Sequence, residues 1–260
     1  MRHALLFALL LSGFGMVGAA QNSVTIASDP RDLSRPVSTL VNQIREREKI
    51  VITYEDPRYG NAADIEDVTA EVSRASDPEK NYGPRILIPK GHAITFVYSP
   101  ADFVSTQAAQ PTIERMLREY SLLGGPTFVV KRDGVRLHIL PSEVLDAAGS
   151  RLKQSSILDA VISVSPARRS GGELLQAICD QIQRQTGYEV GVGPSAPGNI
   201  LARYRTTEGI ESQSGRAALE HLLDTATHPA SFAWDLYYGP DVKGYMLNFS
   251  YMGPATPAAK

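Results

Sequence analysis

The residue types in this chain that could do chemistry are few, and their spacing decides what they could do. Ser150-Arg151-Leu152-Lys153 reads S-x-x-K, the spacing of a serine nucleophile with a lysine base. That chemistry needs the lysine held neutral in a buried site and an oxyanion hole beside it. The stretch is polar and follows Gly149, so it predicts a connecting loop, and the companion S-x-N and K-T-G elements are absent. His3, His92, His138, His221 and His228 include no pair at the i, i+4 spacing that turns two imidazoles toward one zinc ion. His221 falls on the outer side of a helical pattern and His138 on the outer side of a hairpin, so both are expected to be solvated.

Asp64-Ile65-Glu66-Asp67 lacks the glycine and regular oxygen spacing of a calcium loop. It reads as a charged edge strand or loop. Arg168-Arg169 could grip an anion but reads as surface, and Gly171-Gly172 is too short to be a phosphate loop. Cys179 is the single cysteine; set between Ile178 and Asp180 in a helical stretch, it is expected to be a buried small hydrophobe. Trp234, Tyr237, Tyr238, Tyr245 and Tyr251 crowd the last hairpin, where cross-strand aromatic pairs are ordinary sheet stabilisers. The sequence therefore assigns no catalytic residue, no cofactor-binding residue, no metal ligand and no cofactor.

The elements that must position these residues follow a repeating order. Val37, Leu40, Val41 and Ile44 share one helical face behind Pro36, and the β-branched run from Ile50 to Tyr54 predicts a strand ended by Asp56-Pro57. Downstream, residues 161–164 predict a strand, Leu174, Leu175, Ile178 and Ile182 a helix, Gly187 its stop, and Tyr188, Val190 and Val192 a strand. Each passage continues with a second helix and a hairpin. The first has Ile113, Met116, Leu117 and Tyr120 on one face, then strands at 127–131 and 135–139 turning at Asp133-Gly134. The second has Ala218, Leu219, Leu222 and Leu223, then alternating strands at 232–238 and 245–251. The strand before each second helix is placed at 93–98 and at 200–205.

The expected fold is α+β: two tandem βαββαββ-type small mixed-sheet domains. The first spans 21–141 with an insertion at about 58–90, the second 161–252. Residues 142–160 read as a linker that could add a strand, and 253–260 as a disordered tail. Within the insertion, RILIPKGHAITFVY reads as a hairpin turning at Pro89-Lys90-Gly91.

Residues 1–20 have the layout of a secretory signal peptide: Arg2, an apolar run from Ala4 to Leu11, then small residues to Ala20. The expectation is an exported protein, periplasmic or secreted, with no transmembrane segment after signal cleavage. The formal charge of −2 leaves no electrostatic footprint for nucleic acid.

The LLxxIxxQxxxxTGYxVxVG helix–strand, the ILARYR segment, RAALEHLLD and the closing hairpin together resemble the short N-terminal (STN-like) domain of outer-membrane secretins and TonB-dependent receptors. The second passage carries this resemblance over about 161–251; the first matches it in outline. No barrel, pore or plug sequence follows the two passages. What the resemblance implies is a non-enzymatic protein-interaction or scaffold module of the bacterial envelope, meeting an envelope protein partner through exposed sheet edges. The alternative class is a periplasmic hydrolase or a glycan- or small-ligand-binding protein, housed in the insertion or on the terminal aromatics.

Overall fold

The computed structural model describes residues 23–29, 34–76 and 85–254. The signal-peptide reading of 1–20, the middle of the insertion and the end of the tail lie outside them.

The N-terminal half runs β1 (Val24–Ala27), α1 (Pro36–Glu48), β2 (Val51–Glu55), β3 (Ile65–Asp67), α2 (Thr69–Ser76), β4 (Leu87–Pro89), β5 (Thr95–Tyr98), α3 (Thr106–Leu122), β6 (Thr127–Asp133), β7 (Arg136–Leu145) and β8 (Arg151–Lys153). The C-terminal half runs β9 (Val161–Val164), β10 (Arg169–Ser170), α4 (Gly171–Thr186), β11 (Val190–Val192), α5 (Gly198–Arg203), β12 (Arg205–Thr206), β13 (Ile210–Ser214), α6 (Gly215–Thr227), β14 (Ala230–Gly239) and β15 (Gly244–Pro254). The fold is α+β.

Helix boundaries follow local chemistry. α1 starts at Pro36, whose missing N–H would have had no partner, and ends at Lys49, left-handed at φ 54°. In α4 the Ser170 and Glu173 side chains satisfy each other's backbone N–H groups, and Gly187 supplies the left-handed stop at φ 76°. Ser105 and Ser214 cap α3 and α6. Gly215 opens α6 where a Cβ would sit 2.8 Å from Ile182 Cδ1, so α4 and α6 meet closely only because that side chain is absent.

The same pairings recur in both halves. β1 pairs antiparallel with β5, as β9 does with β13. β2 pairs parallel with β7, as β11 does with β15, and the hairpins β6–β7 and β14–β15 close each set. The registers match as well: Ile52 and Tyr54 face Leu137 and Ile139, as Val190 and Val192 face Tyr245 and Leu247. Thus β6 corresponds to β14 and β2 to β11.

The halves then join into one sheet of order β11-β15-β14-β2-β7-β6, with β8 on the far part of β7. The joint is parallel: Asp235 faces Tyr54, Leu236 faces Glu55, and the Asp56 N–H donates to the Leu236 carbonyl at 2.8 Å. Among the described residues, β6 and β11 are its two ends.

Two apolar cores result. One gathers Leu40, Ile44, Ile52, Phe96, Met116 and Ile139; the other Leu175, Ile178, Leu219, Leu222, Trp234 and Leu247. Tyr59 from the N-terminal half enters the second core, and Tyr237 from the C-terminal half packs on the first.

Four expectations need correcting. Residues 198–203 are helix α5, not a strand: they follow Pro197, the Tyr204 N–H returns to the Ile200 carbonyl, and only Leu201 is buried. The strand role passes to Ile210–Ser214, whose polar IESQS carries little apolar alternation. The expected 85–98 hairpin does not form either. β4 pairs with β3, while β5 crosses to β1 because Phe96 and Tyr98 are needed in the first core. Residues 142–160 are packed structure: β7 extends to Leu145, β8 pairs with it, and Ile157 and Leu158 are buried in the second core. At the tail, Gly253 and Pro254 still belong to β15.

Candidate functional site

The joint between the halves concentrates buried charge. On one face α1 reaches over β14. Arg45 donates both terminal nitrogens to Asp235 at 2.7 and 2.8 Å, and its Nε to the Ile52 carbonyl at 2.7 Å. Asp235 sits in a strand and Arg45 on a helix that would otherwise present apolar side chains there, so each charge exists to meet the other. At the end of β2, Asp56 is fully enclosed. It accepts from Arg35 Nε at 2.6 Å, the Tyr54 hydroxyl at 2.8 Å and the Tyr238 N–H at 2.9 Å. Burial pushes its carboxyl upward against the pull of Arg35 and these donors.

On the opposite face α6 reaches over β2 and β7. Arg216, Glu220 and Asp224 recur at i, i+4 and i+8, a charged stripe beside the apolar one formed by Leu219, Leu222 and Leu223. Arg216 lies 2.7 Å from Glu55 and 3.1 Å from Asp159, with its guanidinium over the Trp234 ring at 5.5 Å. The contact with Glu55 is close but off the hydrogen-bond direction, leaving Arg216 Nη1 and Glu55 Oε1 without a directed partner. Arg136 pairs with Asp224.

His138 lies between these groups and is 2 % exposed, which overturns the expectation of a solvated histidine. Its Nδ1 meets the Thr53 hydroxyl at 2.8 Å, its ring stacks 6.2 Å from Trp234, and its Nε2 points at Glu220 Oε1, 3.6 Å away. Desolvation, then the nearby Arg216 and Arg136, holds His138 down to about 3. Burial pushes Glu220 up to about 7. Both shifts favour uncharged forms, so the contact is not an ion pair, and both facing atoms lack a hydrogen-bond partner.

Asp133, on the exposed β6–β7 turn, completes the set. Its carboxylate, His138 and Glu220 offer ligand atoms that all lie within 4.8 Å of one another. Among the described residues this is the group of histidine and acidic side chains that converges closely enough to hold a metal ion.

The residues singled out in the sequence lie elsewhere. Ser150 sits in an exposed turn, its N–H donating to Asp146 Oδ1 at 2.8 Å, and Lys153 is exposed on β8. His92, His221 and His228 are exposed. Cys179 is 1 % exposed, and burial pushes its thiol up to about 12. Asp67 accepts from Thr69, and the Arg169 guanidinium donates to the Ser165 carbonyl at 2.5 Å. Trp234, Tyr238 and Tyr245 are buried in the second core; Tyr251 is 64 % exposed. The insertion does border a cleft, with Arg58, Asp64, Glu143 and Arg151 along it. There Arg151 pairs with Glu143 at 3.2 Å, and Arg58 donates to the Tyr188 hydroxyl at 2.5 Å.

The outer edge of β6 lies beside a groove against α3, walled by Leu117, Leu122, Phe128, Val129 and Val130. Leu122 is 86 % and Val129 44 % exposed. In the C-terminal half the corresponding edge, β14, is covered by β2.

Comparison of the chain with family models, curated proteins and solved structures returns no match.

Sequence alone gives no functional role to Glu55, Arg136, Arg216, Glu220 or Asp235, and reads Asp133 as a turn residue only. One signal was available: a charged residue set within an apolar strand, as Asp235 is between Trp234 and Leu236. Buried charges need partners.

Proposed function

We propose that this chain is an exported, non-enzymatic interaction or scaffold module of the bacterial envelope, which takes an extended segment of an envelope protein onto the outer edge of β6. The carrying observation is internal. The edge of β14 accepts β2 in parallel register, whereas β6, its counterpart, ends the sheet among the described residues beside an apolar groove. Main-chain hydrogen bonds would supply affinity, and the groove against α3 would select alternate side chains of the added strand. The signal-peptide layout and the resemblance to secretin and TonB-receptor modules support the compartment and the class.

The test is a photo-crosslinking residue at Val129 in the mature protein, exposed to native envelope extract. A defined adduct is expected at Val129 and not at Val242, which is exposed on the far β14–β15 turn. With the photo-crosslinking residue moved to Lys131, two positions along on the same exposed face, Val129→Lys should abolish the adduct by setting a charge against the incoming strand. Equal yields at Val129 and Val242, or yields indifferent to the lysine, would overturn the reading.

A further inference from the structure

We propose that Asp133, His138 and Glu220 form a binding site for a divalent transition-metal ion, zinc being the ion their chemistry fits best. The site takes Asp133 from the end of β6 but rests on side chains alone, and it does not depend on what the outer edge of that strand binds.

Three independent observations converge. First, two polar side chains more than nine-tenths buried, His138 and Glu220, aim unpartnered atoms at a common point. Each such atom carries a desolvation penalty that the fold leaves uncompensated. Second, the spacing suits an ion. Zinc holds nitrogen and carboxylate oxygen at about 2.0–2.2 Å, which sets tetrahedral neighbours about 3.4 Å apart. His138 Nε2 and Glu220 Oε1 are 3.6 Å apart: too long for a hydrogen bond, and close to the separation across a shared metal. The Asp133 carboxylate lies within 4.8 Å of both, on an exposed side chain. The same exposed turn provides the path by which an ion reaches two buried ligands.

Third, the second shell and the charge are arranged for a cation. The Thr53 hydroxyl at 2.8 Å can accept the Nδ1–H of His138, which leaves the Nε2 lone pair free and directed inward. Arg136, Arg216 and Lys131 are the cations nearby, but each faces a carboxylate: Asp224 for Arg136, Glu55 and Asp159 for Arg216, Asp159 for Lys131. Those three carboxylates balance the three cations, so Asp133 and Glu220 are the carboxyl groups left for a divalent ion, Glu220 giving up its proton as the ion binds. One imidazole with two carboxylates, and a fourth position open to water, favours zinc over calcium or magnesium, which take oxygen ligands. Binding would tie α6 of the C-terminal half to the β6–β7 hairpin of the N-terminal half.

The test uses the tag-free mature chain stripped of metal. Calorimetric titration with Zn2+ should give one site per chain. Titration with Co2+ should quench the fluorescence of Trp234, the sole tryptophan, because it stacks on His138. Asp133→Asn alters an exposed turn residue and leaves the buried ligands in place. It should weaken Zn2+ binding by about tenfold or more, a loss of the size that single contacts around a metal carry. His138→Gln should abolish both the site and the quench, while His92→Ala and His221→Ala should change neither. Absence of a one-to-one site, a quench unaffected by Asp133→Asn, or binding that disappears with His92 or His221 would overturn the proposal.

Discussion

At the scale of single residues, burial decides which groups can react. Cys179, the single cysteine, would be the obvious target for a thiol reagent, yet it lies inside the second core with its thiol pushed up to about 12. A thiol whose pKa is higher folded than unfolded adds stability that is complete below the unfolded value and lost as pH rises through the folded one. Near pH 9, where a free thiol is half ionised, the folded chain should therefore keep Cys179 protonated. A thiol reagent should label it only as fast as the whole protein opens, and at once in denaturant. Labelling of the native chain at the rate of a free thiol would show that the core around α4 opens locally.

At the scale of elements, the sequence was informative where period and caps agree. The apolar faces of α1, α3, α4 and α6, the stop at Gly187 and the turn at Asp133-Gly134 were all legible, because each is written within a few consecutive residues. α5 and the strand Ile210–Ser214 were not. Both are short, and their conformations depend on β9 and α4 rather than on their own pattern. The buried charges were hidden for a different reason: Arg45 and Asp235 are separated by 190 positions, and no local rule links them. His138 was misplaced because a hairpin pattern predicts two faces but not the arrival of α6 on the second. The Arg45–Asp235 pair is what fastens α1 to β14. Asp235→Ala should lower the unfolding free energy by about 3–5 kcal/mol, because it leaves the Arg45 guanidinium enclosed without its counter-charge. Urea titration measures this directly, and a loss below about 1 kcal/mol would place the fastening elsewhere.

At the scale of the whole molecule, the joint makes the halves interdependent. Tyr59 is buried in the core of the far half, Tyr237 rests on the other, and Asp56, Arg35 and Tyr238 close around one another across the boundary. Separation would take Arg216 from Glu55, Arg45 from Asp235 and the Tyr238 N–H from Asp56. The chain is therefore expected to unfold in one step. Trp234 fluorescence, which senses the C-terminal core, and far-ultraviolet circular dichroism, which averages both halves, should trace the same denaturant curve. Two displaced curves would mean that each half keeps its own stability.

The parallel β2–β14 seam joins unlike edges, and a head-to-tail connection of that kind is able to repeat without limit, stringing molecule onto molecule. The β11 end interrupts such growth. By the matched registers, Pro194 stands where Asp56 stands beside β2, and Asp56 donates its N–H to Leu236 across the seam. Proline has no hydrogen to give there. A polymer begun at one rim would meet a blunt terminus at the other, which keeps a molecule built by pairing strands from becoming a fibre of itself.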